Sequence, residues 1–149
     1  MEEIRIEMSG NLYFVPVIRA AIGRIACGFG FSDKEVYEIE TVFDELCNNA
    51  IEHGSKGDNE TVSVECKFDD PALEMTIRDS GSPGFDVPLV LEHSRRLMEE
   101  ELAKSKLDVI RRQRGLLIVQ HFVDKLEIIS SPNGTAAKII KKRSSGRSE

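Results

Sequence analysis

No run in this sequence approaches the roughly 18 consecutive apolar residues that a membrane-crossing helix needs. The opening MEEIRIEMSG has no apolar stretch of the kind a secretory signal carries. Basic charge is also short: 20 Lys and Arg stand against 26 Asp and Glu, a formal net charge of −6. Generic nucleic-acid binding is driven by basic surface, so the balance argues against direct nucleic-acid contact. Cysteine is scarce, and Cys27, Cys47 and Cys66 form neither a CxxC pair nor a Cys/His metal spacing. Each falls in an apolar-periodic segment, which predicts buried free thiols in a reducing compartment. There is no internal repeat. A soluble protein of the cytoplasm, without membrane contact, is the expectation. At 149 residues, 40% apolar and 31% charged, the chain suits one ordinary domain with a real core.

Periodicity supplies the elements. Ile4, Ile6 and Met8 alternate with polar residues and predict a strand over Glu3–Met8. Phe14, Val15, Ile18, Ala21, Ile22, Ile25 and Ala26 recur at helical spacing from Leu12 to Phe29, where Gly28 and Gly30 end the run. Ser32 followed by Glu35 is a capping-box signature for a second helix from Asp33 to about His53, with Val36, Ile39, Val42, Phe43, Leu46 and Ala50 as its core stripe. Strands are expected at Thr61–Phe68 and Leu73–Asp79 around Asp69-Asp70-Pro71-Ala72. The charged stretch Pro88–Arg114 is helix-prone, and Gly115 is expected to open an apolar helix over Leu116–Val123. Strands Lys125–Ser131 and Thr135–Lys141 close the domain, and residues 143–149 read as a polar, disordered tail. The order β-α-α-β-β-(α)-α-β-β describes an α+β fold, a two-layer sandwich of a mostly antiparallel sheet with helices on one face.

Four segments could carry chemistry. Glu45 and Asn49 lie four apart on the second helix and share a face; a carboxylate there can act as a base and an amide oxygen can bind Mg²⁺. Taken alone, the same spacing suits a solvated helix face. Asp79 ends a strand and leads into Ser80-Gly81-Ser82-Pro83-Gly84. Such a carboxylate can accept from an adenine amino group while Gly81 and Gly84 let backbone approach a ligand, or the segment is simply an acidic turn. Arg111-Arg112-Gln113-Arg114-Gly115 precedes the expected helix start, where free N–H groups and arginines suit phosphate; a solvated basic stretch is the bland alternative. Gly134-Thr135 alone is a hairpin turn.

In this order, with these elements between, the four segments resemble the asparagine box and the three glycine boxes of the GHKL (Bergerat) ATPase superfamily. The small size and the opening strand-helix-helix layout are similar to the anti-sigma factor serine/threonine kinases. FSDKEVYEIETVFDELCNNAIEHG carries the strongest match, and the likeness extends over roughly Ile4 to Lys142. The resemblance implies a histidine-kinase-like ATPase domain over residues 1–142 with an ATP lid at about 86–114. It implies Glu45 as the catalytic base and Asn49 as the Mg²⁺ ligand. Asp79 would read adenine, with Gly81 and Gly84 in the loop beside it, Gly115 at the phosphates and Thr135 near the adenine side. The family commonly has Gly-x-Gly in the second glycine box, and this chain has Gln113 at the first of those positions.

The implied activity is that of an ATP- and Mg²⁺-dependent protein serine kinase. It would phosphorylate an anti-sigma factor antagonist, sequester a sigma factor, and form a homodimer. Gln113 keeps open a second reading, a nucleotide-binding module that acts by sequestration without catalysis. A third, an ATPase core detached from a sensor histidine kinase, lacks a phosphoacceptor helix pair in this chain.

Overall fold

Strand alternation and one well-capped helix account for most of the architecture. In the computed structural model the described residues are 1–9, 12–51, 61–79, 107–131 and 134–144, with backbone alone for 12, 107–113, 130 and 131. Strand β1 spans Glu2–Ser9, β2 Thr61–Asp69, β3 Ala72–Asp79, β4 Lys125–Ser131 and β5 Gly134–Lys142. A short 3₁₀ turn at Leu12–Phe14 leads into helix α1, Val15–Gly28; α2 is Asp33–Asn49 and α3 is Leu107–Phe122. The five strands form one antiparallel sheet in the order β1-β2-β3-β5-β4. This is the expected α+β sandwich.

The register aligns one apolar layer across the sheet. Ile4 and Ile6 pair with Cys66 and Val64, which pair with Met75 and Ile77. These in turn pair with Ile139 and Ala137, and those with Leu126 and Ile128. Side chains alternate faces along a strand, so these rows point the same way, and the helices bury them. Ile22 and Ala26 of α1, Ile39, Val42, Phe43 and Leu46 of α2, and Leu116 and Val119 of α3 complete the core. The opposite face carries charge, with Lys138 and Glu74 paired at 2.5 Å and Arg5 and Glu65 at 3.1 Å.

The capping box forms as its sequence predicts. The Glu35 N–H donates to Ser32 Oγ at 3.2 Å and the Ser32 N–H to Glu35 Oε1 at 2.8 Å. Gly30 has φ 93°, a left-handed conformation suited to glycine, in the turn after α1. Cys47 and Cys66 are buried, and burial pushes the Cys66 thiol up to about 12 and the Cys47 thiol higher. Cys27 is exposed, contrary to expectation; one residue beyond buried Ala26, it is turned about 100° around α1 from the core-facing row.

The expected helix start at Gly115 is also corrected. Among the described residues helix α3 spans Leu107–Phe122 and runs through Gly115. The preceding LDVIRRQR is rich in helix formers, and one internal glycine costs only about 1 kcal/mol against alanine, too little to interrupt them. After β5, Arg143 and Ser144 are anchored. Arg143 Nη1 donates to the Phe29 carbonyl at 2.8 Å and the Ser144 N–H to Glu35 Oε2 at 2.7 Å.

Candidate functional site

Helix α2 sorts its carboxylates by face. Asp44 points to α1, where it accepts from Arg19 Nη1 at 2.7 Å. Glu45, one position on, turns toward α3. A Cβ built at Gly115 would collide with Glu45 Oε2 and stand 3.1 Å from its Cδ. So the candidate base and the second-box glycine, far apart in sequence, are in contact. Asn49, like Glu45, is half-buried. It is the last residue of α2, and Ala50 and Ile51 continue the backbone as a wider π-type turn.

The sheet makes the second junction. Arg78 pairs with Ala136 at the end of the β3–β5 ladder, so the next step brings Asp79 beside Thr135. The Thr135 N–H donates to Asp79 Oδ1 at 3.3 Å. Asp79 shares the parity of Leu73, Met75 and Ile77, and Thr135 that of Ala137 and Ile139, all buried beneath the helices. Both therefore sit where the apolar layer gives way to polar side chains, on the helix-covered side. Gly134, with φ 125°, makes the entry to β5 possible.

A third cluster ties the same elements together away from these junctions. Lys141, at the far end of β5, is buried; its Nζ donates to Glu38 Oε1 at 3.2 Å and to the Phe122 carbonyl at 2.6 Å. The start of α2 and the end of α3 are thus tied to the end of β5. From there α2 runs over the sheet, burying Ile39, Val42, Phe43, Leu46 and Ala50 in succession. From Glu38 to Asn49 it covers about 16 Å at about 1.5 Å per residue. From Lys141 back to Thr135, β5 covers about 20 Å. Glu45, Asn49 and Gly115 are thus removed along their helices from the Lys141 tie, as Thr135 is along β5. Lys141 itself was missed in the sequence; its parity with Ala137 and Ile139 was the available signal.

Gly81, Gly84 and the 86–106 part of the expected lid lie outside the described residues, as do the side chains of Arg111, Arg112 and Gln113. The last residues of that expected lid, 107–114, lie in α3. Gly115 lies more than two turns into that helix, so its N–H is not among the unpaired donors of a helix N-terminus. Among the described residues no group of three or more His, Cys, Asp and Glu comes together as a metal cluster. Half-buried Asn49 offers an amide oxygen, a hard ligand of the type Mg²⁺ accepts beside substrate phosphates and water.

The sequence model of the histidine kinase-like ATPase domain matches residues 10–141. The anti-sigma F factor of Oceanobacillus iheyensis is 34% identical over 115 residues, 76% of this chain and 73% of the relative. That of Halalkalibacterium halodurans is 28% identical over 131 residues, 87% of this chain and 84% of the relative. Among solved structures, the RsbU and RsbW domains of a Mycobacterium tuberculosis protein superpose with a TM-score of 0.65 at 16% identity, over 96% of this chain and 33% of that one. A mycobacterial sensor histidine kinase, MprB, superposes with a TM-score of 0.52 at 19% identity, over 94% and 98%. At these identities the two structures speak to the fold alone. No helix among the described residues is long and apolar enough to cross a membrane.

Proposed function

The chain belongs to the histidine kinase-like ATPase domain family, and on that premise we propose that it is an anti-sigma factor that binds Mg²⁺-ATP and phosphorylates a serine of a small antagonist protein. The observation that carries the reading is the meeting of four separated segments as two contacts, Glu45 with Gly115 and Asp79 with Thr135. Relatives named anti-sigma F factor over most of the chain support the partner class.

In this reading Asp79 accepts a hydrogen bond from the adenine amino group while held by the Thr135 N–H. Gly81 and Gly84 let backbone approach the adenine, Gly115 stands beside Glu45 at the phosphate end, and 86–114 serves as the ATP lid. Asn49 would hold Mg²⁺ through its amide oxygen, and the ion would supply charge neutralisation for phosphoryl transfer. Glu45 accepts the proton of the attacking serine hydroxyl. The serine oxygen forms a bond to the γ-phosphorus, the bond from that phosphorus to the β,γ-bridging oxygen breaks, and ADP leaves with that oxygen. Phosphoserine adds about −1.5 to −2 charge, which weakens docking to a protein of net charge −6. The freed kinase, as a homodimer in the cytoplasm, then holds the sigma factor.

The decisive experiment pairs labelled phosphate transfer to a candidate antagonist with an ATP-binding measurement. Glu45→Ala is expected to keep ATP bound and to slow transfer by about 10²–10⁴. Wild-type transfer by that variant would overturn the base assignment. A second reading, sequestration without transfer, is favoured by Gln113 in the second glycine box and by α3 running helical through it. It prevails if the wild-type protein binds ATP and partner but transfers nothing.

A further inference from the structure

A glycine in the interior of a helix costs stability and needs a reason. Two reasons are available: a backbone conformation closed to other residues, or a neighbour that occupies the space of a side chain. Gly115 does not have the first. Among the described residues only Gly30 and Gly134 have positive φ, and Gly115 lies within α3. It has the second, and in a specific form. The three atoms nearest to a Cβ built there are all from Glu45: Oε2 in collision, Cδ at 3.1 Å and Cβ at 3.8 Å.

The collision is confined to one end of the glutamate. Its Cβ at 3.8 Å is in ordinary contact, so an alanine at 115 leaves α2 and α3 room to pack as they do. Only the carboxylate must turn aside. The rotation of α3 about its own axis is set independently by Leu116 and Val119, which are buried in the core. Gly115 itself is buried, and Arg114 before it is exposed. The empty position is thereby held against α2.

From this we infer that Gly115 is a positioning residue for Glu45: its missing side chain is the room in which the carboxylate is held. The inference rests on the reading of Glu45 as the base, and it assigns Gly115 a role distinct from contact with the phosphates. A displaced carboxylate no longer meets the serine hydroxyl, whereas nucleotide contacts made elsewhere are untouched.

The test is a cycle of Gly115→Ala with changes at Glu45, read in two ways. In transfer assays Gly115→Ala is expected to lower kcat by about tenfold to a hundredfold, with the KM and the calorimetric affinity for ATP unchanged. Glu45→Asp, whose carboxylate is one methylene shorter, is expected to recover part of that loss when combined with Gly115→Ala. Strictly multiplicative losses, or a fall in ATP affinity at unchanged kcat, would overturn the inference in favour of a phosphate contact. The second readout needs no activity. Alanine is the better helix former, so Gly115→Ala should raise the melting temperature more in a Glu45→Ala background than in the wild type. Equal shifts in both backgrounds would overturn the steric premise. A Glu45→Ala variant that still transfers phosphate, beside unequal melting shifts, would instead show that the contact stands and the base lies elsewhere.

Discussion

Asp79 is held by an interaction that constrains what it can read. One of its carboxylate oxygens takes the Thr135 N–H, which fixes the group at the mouth of the sheet between two strand ends. An asparagine could keep that contact through its amide oxygen and so preserve the fold, but it would then present an NH₂ donor to the adenine amino group, itself a donor. Asp79→Asn is therefore expected to fold normally and to lose about 1.5–3 kcal/mol of ATP affinity, the usual worth of a charge-assisted hydrogen bond. Isothermal calorimetry decides it, and equal affinities in the two proteins would remove Asp79 from the adenine site. The contact itself was not legible in the sequence. Asp79 and Thr135 are separated by 56 residues, and only the β3–β5 register makes them neighbours. Glu45 and Gly115 were singled out as members of two boxes. Their mutual contact was hidden because a glycine in sequence reads as a break, and here it is a vacancy inside an unbroken helix.

Among the elements, α2 is the best specified and the most exposed to acid. Its start was legible because Ser32 and Glu35 satisfy free N–H groups through local chemistry alone, at a spacing that needs no tertiary knowledge. Strands β1 to β5 were legible for a similar reason: period-two burial is written into residues such as Val62, Val64, Cys66 and Phe68. Helix α3 was not, because weak local preferences carry it through Gly115, which in sequence reads as a boundary. The α2 cap also carries a load from outside. Burial disfavours the Glu35 charge, but the N–H groups of Ser32 and Ser144, the Ser32 hydroxyl and the nearby Lys141 charge outweigh it and hold the carboxyl below its ordinary value of 4.5. A depressed folded-state pKa means that the folded state holds fewer protons than the unfolded chain. The associated stability is present in full above 4.5 and is lost as pH falls through the lower, folded-state value. Urea titrations from pH 7 downward should show wild-type stability falling below pH 4.5 more steeply than that of Glu35→Gln. Parallel curves would refute the linkage. Ser32→Ala should cost about 1 kcal/mol at pH 7, the typical worth of such a cap.

At the scale of the molecule, the end of β5 away from Thr135 is tied by one buried cation. Lys141 joins three elements: it belongs to β5, pairs with Glu38 of α2 and caps the last turn of α3 through the Phe122 carbonyl. Its side chain and that of Glu38 retain only 9% and 15% of their exposure, so water can do little for a charge left alone. Breaking such a pair from one side is more damaging than replacing it whole, because the partner's desolvation is no longer offset. Lys141→Met removes the ammonium and leaves Glu38 and the carbonyl without it. It should cost about 3 kcal/mol, at the lower end for a buried pair. Lys141→Met with Glu38→Leu removes both charges and should recover part of that loss, so the two changes are non-additive in urea unfolding. Additive losses would mean that the pair contributes through shape and not through charge. The position of the tie also separates stability from binding. It lies about 20 Å along β5 from Thr135, and the core between them is continuous apolar packing through Ile139 and Ala137. Under conditions where the single variant remains folded, its ATP affinity should therefore match the wild type. A parallel loss of affinity would show that the set of α2 against the sheet, held at one end by Lys141, governs the placement of Glu45 and Asn49 at the other.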